Sequence, residues 1–66
     1  MVIKRYDYQE NDMNCAIVFR FLRCAKLFIV EEQHNAKEIW SKVYYLRDVA
    51  EKEYDILARR KRLRNN

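Results

Sequence analysis

Between Met13 and Val30 fourteen of eighteen residues are apolar, and only Asn14, Arg20, Arg23 and Lys26 interrupt them. At ~100° per residue, Ile17, Val18, Phe21, Leu22, Ala25, Phe28 and Ile29 gather on one broad face, while the three cations fan across the other. The pattern predicts a first helix over 12–32, with Asp12 as its N-terminal cap. Ala16, Phe19, Leu27 and Val30 fall beside the cations, so the apolar surface wraps most of the circumference. A single neighbouring helix cannot shield such a rod.

The polar stretch Glu31 to Asn35 reads as a short loop, and Asn35 followed by Glu38 fits a capping box that opens a second helix over 36–63. Ile39, Val43, Leu46, Ala50, Tyr54 and Leu57 then recur at three- and four-residue steps. A second line of Tyr45, Val49, Ile56 and Leu63 lies beside them. Residues 1–11 are weakly patterned, either loosely ordered or a short strand through Val2, Tyr6 and Tyr8. These elements predict one small all-α domain over 1–66, a long helical hairpin. Two hairpins would close into a homodimeric four-helix bundle, because self-association is the simplest source of the missing cover. The competing architecture is a β-hairpin packed on one long helix, with Cys15, Ile17, Phe19 and Phe21 on one strand face and a turn within Glu10 to Asn14.

Composition leans toward the helical reading. The chain has 66 residues and neither glycine nor proline, which removes the residues best suited to left-handed turns. A fold of this size buries only ~60% of the surface its unfolded chain exposes, so a partner would help stabilise it. A cofactor-binding α/β domain with its own cleft has no room.

Charge is unevenly spread. Residues 1–30 carry net +2, residues 31–58 net −3 and residues 59–66 net +5, so the positive field belongs to Arg59, Arg60, Lys61, Arg62 and Arg64. Cations at a helix C-terminus are favoured by the backbone dipole, yet five in six positions also suit a polyanion. That admits a basic nucleic-acid-binding regulator that uses the cluster on phosphates. RRKRLR has the composition of a nuclear-import signal as well, although cytoplasm and nucleus are not resolved by it.

Cys15 and Cys24, nine positions apart on a helix, stand too far apart to bridge and read as small buried hydrophobes of an intracellular, reducing compartment. The N-terminus lacks the apolar core of a secretion signal. The run Cys15 to Val30 is too short and too charged to insert across a membrane, although Phe21, Leu22, Phe28 and Ile29 could lie on one.

No arrangement suggests catalysis. His34 is the sole histidine, and Ser41 is seven positions from it. Glu31, His34 and Glu38 match no structural zinc spacing, so neither a metal nor a cofactor is expected. The reading that remains is a non-enzymatic interaction module, an adaptor or inhibitor that self-associates and docks on a larger protein. Its candidate interface is Phe19, Phe21, Leu22, Phe28 and Ile29 from the first segment, with Trp40, Tyr44, Tyr45, Val49 and Ile56 from the second.

Overall fold

A computed structural model describes residues 1–64 and shows a four-stranded antiparallel sheet with one C-terminal helix, not a helical bundle. The strands are β1 (Val2–Glu10), β2 (Met13–Leu22), β3 (Leu27–His34) and β4 (Lys37–Tyr44), and the helix is α1 (Arg47–Arg64). They pair in chain order, β1-β2-β3-β4, which leaves β1 and β4 as the two edges.

The hairpins form without glycine because other residues take the left-handed conformation. Asn11 (φ 53°) and Asp12 (φ 62°) turn β1 into β2, and Asn35 (φ 53°) and Ala36 (φ 67°) turn β3 into β4. Two consecutive positive φ angles are the mark of a type I′ hairpin turn, which matches the twist of the flanking strands. Asn and Asp tolerate it through their short polar side chains, whereas Ala36 bears the Cβ penalty of about 1–2 kcal/mol. Lys26 (φ 53°) closes the longer Arg23–Lys26 loop between β2 and β3. The capping box is therefore replaced by a hairpin turn at Asn35, and Asp12 is a turn residue rather than a cap.

The segment expected to be the first helix, 12–32, is instead β2 and most of β3, in register from Cys15 opposite His34 to Leu22 opposite Leu27. Its apolar wrap has a different origin. Directly paired residues share a sheet face, so Lys4, Phe19, Val30 and Lys42 form one row and Phe21, Phe28 and Tyr44 another, both on the side that faces α1. Ala16, Val18 and Ile29 are buried on the opposite face, among longer polar neighbours. Central strands covered on both faces lose their alternation and read as continuous apolar runs. Residues 15–19, 29 and 30 are thus buried inside one chain, while Phe21, Leu22, Leu27 and Phe28 are half-buried, so the apolar run does not require the cover of a second helix pair.

The expected second helix, 36–63, splits into strand β4 and α1. Within α1, Ala50, Tyr54 and Ala58 are buried at four-residue steps, and the two alanines bring the helix backbone close to the sheet. Ile17, Phe19 and Val30, each 0% exposed, form the floor beneath it, and the Tyr54 ring sits 6.1 Å from that of Phe19. Asp48 in the first turn and Lys61, Arg62 and Arg64 in the last complement the helix dipole. Both cysteines are free, but only Cys15 is buried. Cys24 is exposed in the Arg23–Lys26 loop, contrary to the expectation for it.

Candidate interaction surface

The two edges of the sheet differ in how they meet solvent. β1 is interrupted by a bulge between Val2 and Lys4 and is tied down by charge. Lys4 Nζ lies 3.3 Å from Glu51 and 3.7 Å from Asp55 of α1, and Arg5 donates to Asp7 at 2.9 Å. Bulges and paired charges of this kind blunt an edge against further strand pairing.

β4 also carries a bulge, around Ile39, but it is less tied to the rest of the fold. Seven of its eight residues, Lys37 to Val43, are exposed, and only Tyr44 is buried. Ile39, Trp40 and Val43 are all at least 39% exposed. Tyr45 (82%) and Leu46 (65%) extend the apolar surface into the connection, and Val49 continues it into the first turn of α1. Strand alternation places Trp40 and Lys42 on the α1 side, with Ser41 and Val43 on the other.

The candidate interface residues therefore separate. Phe19 is fully buried core, and Tyr44 is buried beneath α1. Ile29 is buried on the far face, while Phe21, Leu22 and Phe28 are half-buried at one end of the β2–β3 hairpin, with the Phe21 and Phe28 rings 4.9 Å apart. Trp40, Tyr45 and Val49 remain available on the β4 side, and Ile56 is exposed on the outer face of α1 in line with Leu63. Ile39, Val43 and Leu46, which helical spacing assigned to a core stripe, belong to the exposed set. No apolar and polar alternation marks β4, because Ile39, Ser41 and Val43 on one side and Trp40, Lys42 and Tyr44 on the other each mix the two kinds.

The basic cluster is largely committed within the chain. Lys61 Nζ lies 3.4 Å from Glu32, 3.5 Å from Glu10 and 5.2 Å from the centroid of the Tyr8 ring. Arg62 stacks over Tyr6 at 5.5 Å, and Arg64 reaches Glu10 at 3.4 Å. Arg59 and Arg60 stay exposed. Glu32 is the hub of this network: it accepts from Tyr8 Oη at 2.6 Å and lies 2.9 Å from His34 Nε2. Burial pushes its carboxyl up, but the hydrogen bonds from Tyr8 and His34, together with Lys61, outweigh that and hold it below its ordinary range. Burial, then the bond to Glu32, drives the Tyr8 phenol far above its usual value. The network clamps the end of α1 to the sheet.

Tyr44 has the opposite problem, since its hydroxyl is buried with no hydrogen-bond partner among the described residues. An unmade buried hydrogen bond costs more than its absence, so Tyr44→Phe is expected to stabilise the fold by about 1–2 kcal/mol. A urea titration of the two chains measures this, and a lower midpoint for the phenylalanine variant would show that the hydroxyl is satisfied.

Among the described residues, no group of three or more His, Cys, Asp or Glu side chains is placed to hold a metal ion, and no helix is long and apolar enough to cross a membrane. Comparison with protein-family models, curated proteins and solved structures gave no match to this chain.

Proposed function

We propose that the chain is a non-enzymatic protein-interaction module, an adaptor or inhibitor, that binds another protein by adding a strand along β4. The observation that carries this reading is an edge strand exposed on both faces and bearing Ile39, Trp40 and Val43. Strand addition draws its affinity from main-chain hydrogen bonds and its selectivity from alternate side chains, and β4 offers both. Tryptophan is also the side chain most enriched at energetically dominant interface positions.

The nucleic-acid reading draws less support. Lys61, Arg62 and Arg64 already have acidic or aromatic partners within the chain. The sheet face opposite α1 presents Val18, Arg20, Ile29 and Glu31 in its central rows, without an aromatic ring on which a base could stack.

A photo-crosslinking amino acid placed at Val43 and, separately, at Lys52 tests the surface in the cell that makes the protein. Protein adducts are expected from position 43 and not from position 52. Failure to form adducts at position 43, or equal yields from both positions, would remove the β4 assignment.

A further inference from the structure

We propose that two copies of this chain pair antiparallel along β4, with the two-fold axis at Ser41, to make one continuous eight-stranded sheet. The inference rests on β4 being a pairing edge and names a second copy as what occupies it. Both edge strands carry a bulge, but β1 is also held by the Lys4–Glu51 and Arg5–Asp7 pairs, so a two-fold contact between edges falls to β4.

The side chains select the register. A second bulge lies in the β3–β4 pairing, where Glu32 faces Trp40 but Gln33 faces Glu38, so the regular part of β4 begins at about Ile39. In an antiparallel pair of identical strands, the residue on the axis meets itself and its neighbours meet in reciprocal pairs. Centring on Lys42 sets two ammonium groups directly opposite each other, which is unfavourable. Centring on Trp40 places Val43 opposite Lys37. It also sets Lys42 against Glu38, which the bulge has carried to the other sheet face. Centring on Val43 leaves Ile39 and Trp40 beyond the paired segment.

Centring on Ser41 confines the pairing to the regular segment Ile39 to Val43 and leaves the residues before the bulge outside it. Trp40 then meets Lys42 of the second copy, twice, and an ammonium beside an indole ring is a favourable cation–π pair. On the other sheet face Ile39 meets Val43 of the second copy, also twice, next to the buried Ile29 that neighbours Val43 in the sheet. Lys37 and Glu38 lie beyond the bulge, and within Ile39 to Val43 no like charges face one another. A small serine sits on the axis, where two side chains must share one position. The alternative ridge on α1, Val49, Ile56 and Leu63, is a single row flanked by Lys52 and Arg59 on one side and Glu53 and Arg60 on the other, and it offers a narrower apolar contact.

The contact involves one short strand per copy, so association is expected to be weak and dependent on concentration. Sedimentation equilibrium of the full chain, from micromolar to millimolar concentration, should show the mass rising from one copy toward two. Val43→Lys and Trp40→Lys should each hold the chain at the monomer mass while far-ultraviolet circular dichroism stays unchanged. Lys42→Glu should weaken pairing at least several-fold and Lys42→Arg should retain it. Ile56→Lys should leave the dimer intact. In a Cys24→Ser background, Ser41→Cys should cross-link to itself on mild oxidation, and Lys37→Cys should not.

A monomer at every concentration would overturn the proposal, as would a dimer that survives Val43→Lys or is dissolved by Ile56→Lys. These results are separable from the reading of β4 itself. A monomeric chain that still cross-links from position 43 to a different protein refutes self-pairing alone, whereas the absence of any adduct at that position refutes the edge.

Discussion

Phe19→Ala is expected to cost about 3–5 kcal/mol and to leave a large fraction of the chain unfolded near physiological temperature. Phe19 is fully buried at the centre of β2, between Lys4 and Val30 in its row, and its ring meets those of Phe28 and Tyr54, each at 6.1 Å. Truncation would remove contacts to β3 and α1 together and open a cavity that neither can close, because α1 rests on the sheet through small Ala50 and Ala58. A chain of this length has roughly 3–10 kcal/mol of stability in total, so the loss is comparable with the whole. Urea unfolding followed by circular dichroism measures the effect. Val43→Ala, at an exposed site on β4, is the comparison and should change stability by less than about 1 kcal/mol. A Phe19→Ala midpoint equal to that of Val43→Ala would mean that the sheet and α1 do not share one core.

The same residues show why the fold was only partly legible. The strand face of Cys15, Ile17, Phe19 and Phe21, and the turn between β1 and β2, were visible as the competing hairpin, and both are present. A helical period competes with them because Ala16 and Val18, on the opposite face, are also buried and apolar, which erases the alternation that identifies a strand. The turns carried no glycine to announce them. Asn11, Asp12 and Asn35 took its place, with Lys26 and Ala36 held left-handed by the hairpins around them. In the second half, Ala50, Tyr54 and Leu57 did mark the face that α1 turns to the sheet. Ile39, Val43 and Leu46 extended that spacing by coincidence across a strand and a connection.

The candidate interface was legible in part for a related reason. Aromatic identity drew Trp40, Tyr44 and Tyr45 together, but the direction of each side chain depends on the period of the backbone. At 180° per residue Trp40 and Tyr44 share a face, and α1 then covers Tyr44 but leaves Trp40 open. The basic run lies at the end of α1, yet its acidic partners Glu10 and Glu32 are 51 and 29 positions away in the chain from Lys61. No local pattern could have connected them.

Stability is expected to fall steeply once the pH rises above about 10, and buried phenols account for most of the fall. Tyr8, Tyr44 and Tyr54 are all buried, and burial is the first cause that raises each phenol above its ordinary value of 10.0. Glu32 adds to the shift at Tyr8, and Glu53 adds to that at Tyr44. Around Tyr54, Lys4 and Arg62 act against burial, while Asp55 and Asp7 act with it. Below pH ~10 the folded and unfolded chains both keep these protons, and the stability is fully present. Above it the unfolded chain releases protons that the folded chain holds, so Tyr8 lowers stability by up to about 1.4 kcal/mol per pH unit, and Tyr44 and Tyr54 act in the same direction. Lys4, whose ammonium is raised chiefly by its bond to Glu51, contributes in the same direction. Urea midpoints measured between about pH 9 and 12, with tyrosinate absorbance as a second readout, follow the loss. Tyr8→Phe should flatten the dependence by close to one proton even though it gives up the bond to Glu32, a separation between slope and absolute stability that general alkaline damage would not produce. A midpoint that stays level through this range would mean that the phenols ionise inside the folded chain and that the polar clamp at the end of α1 is open to water.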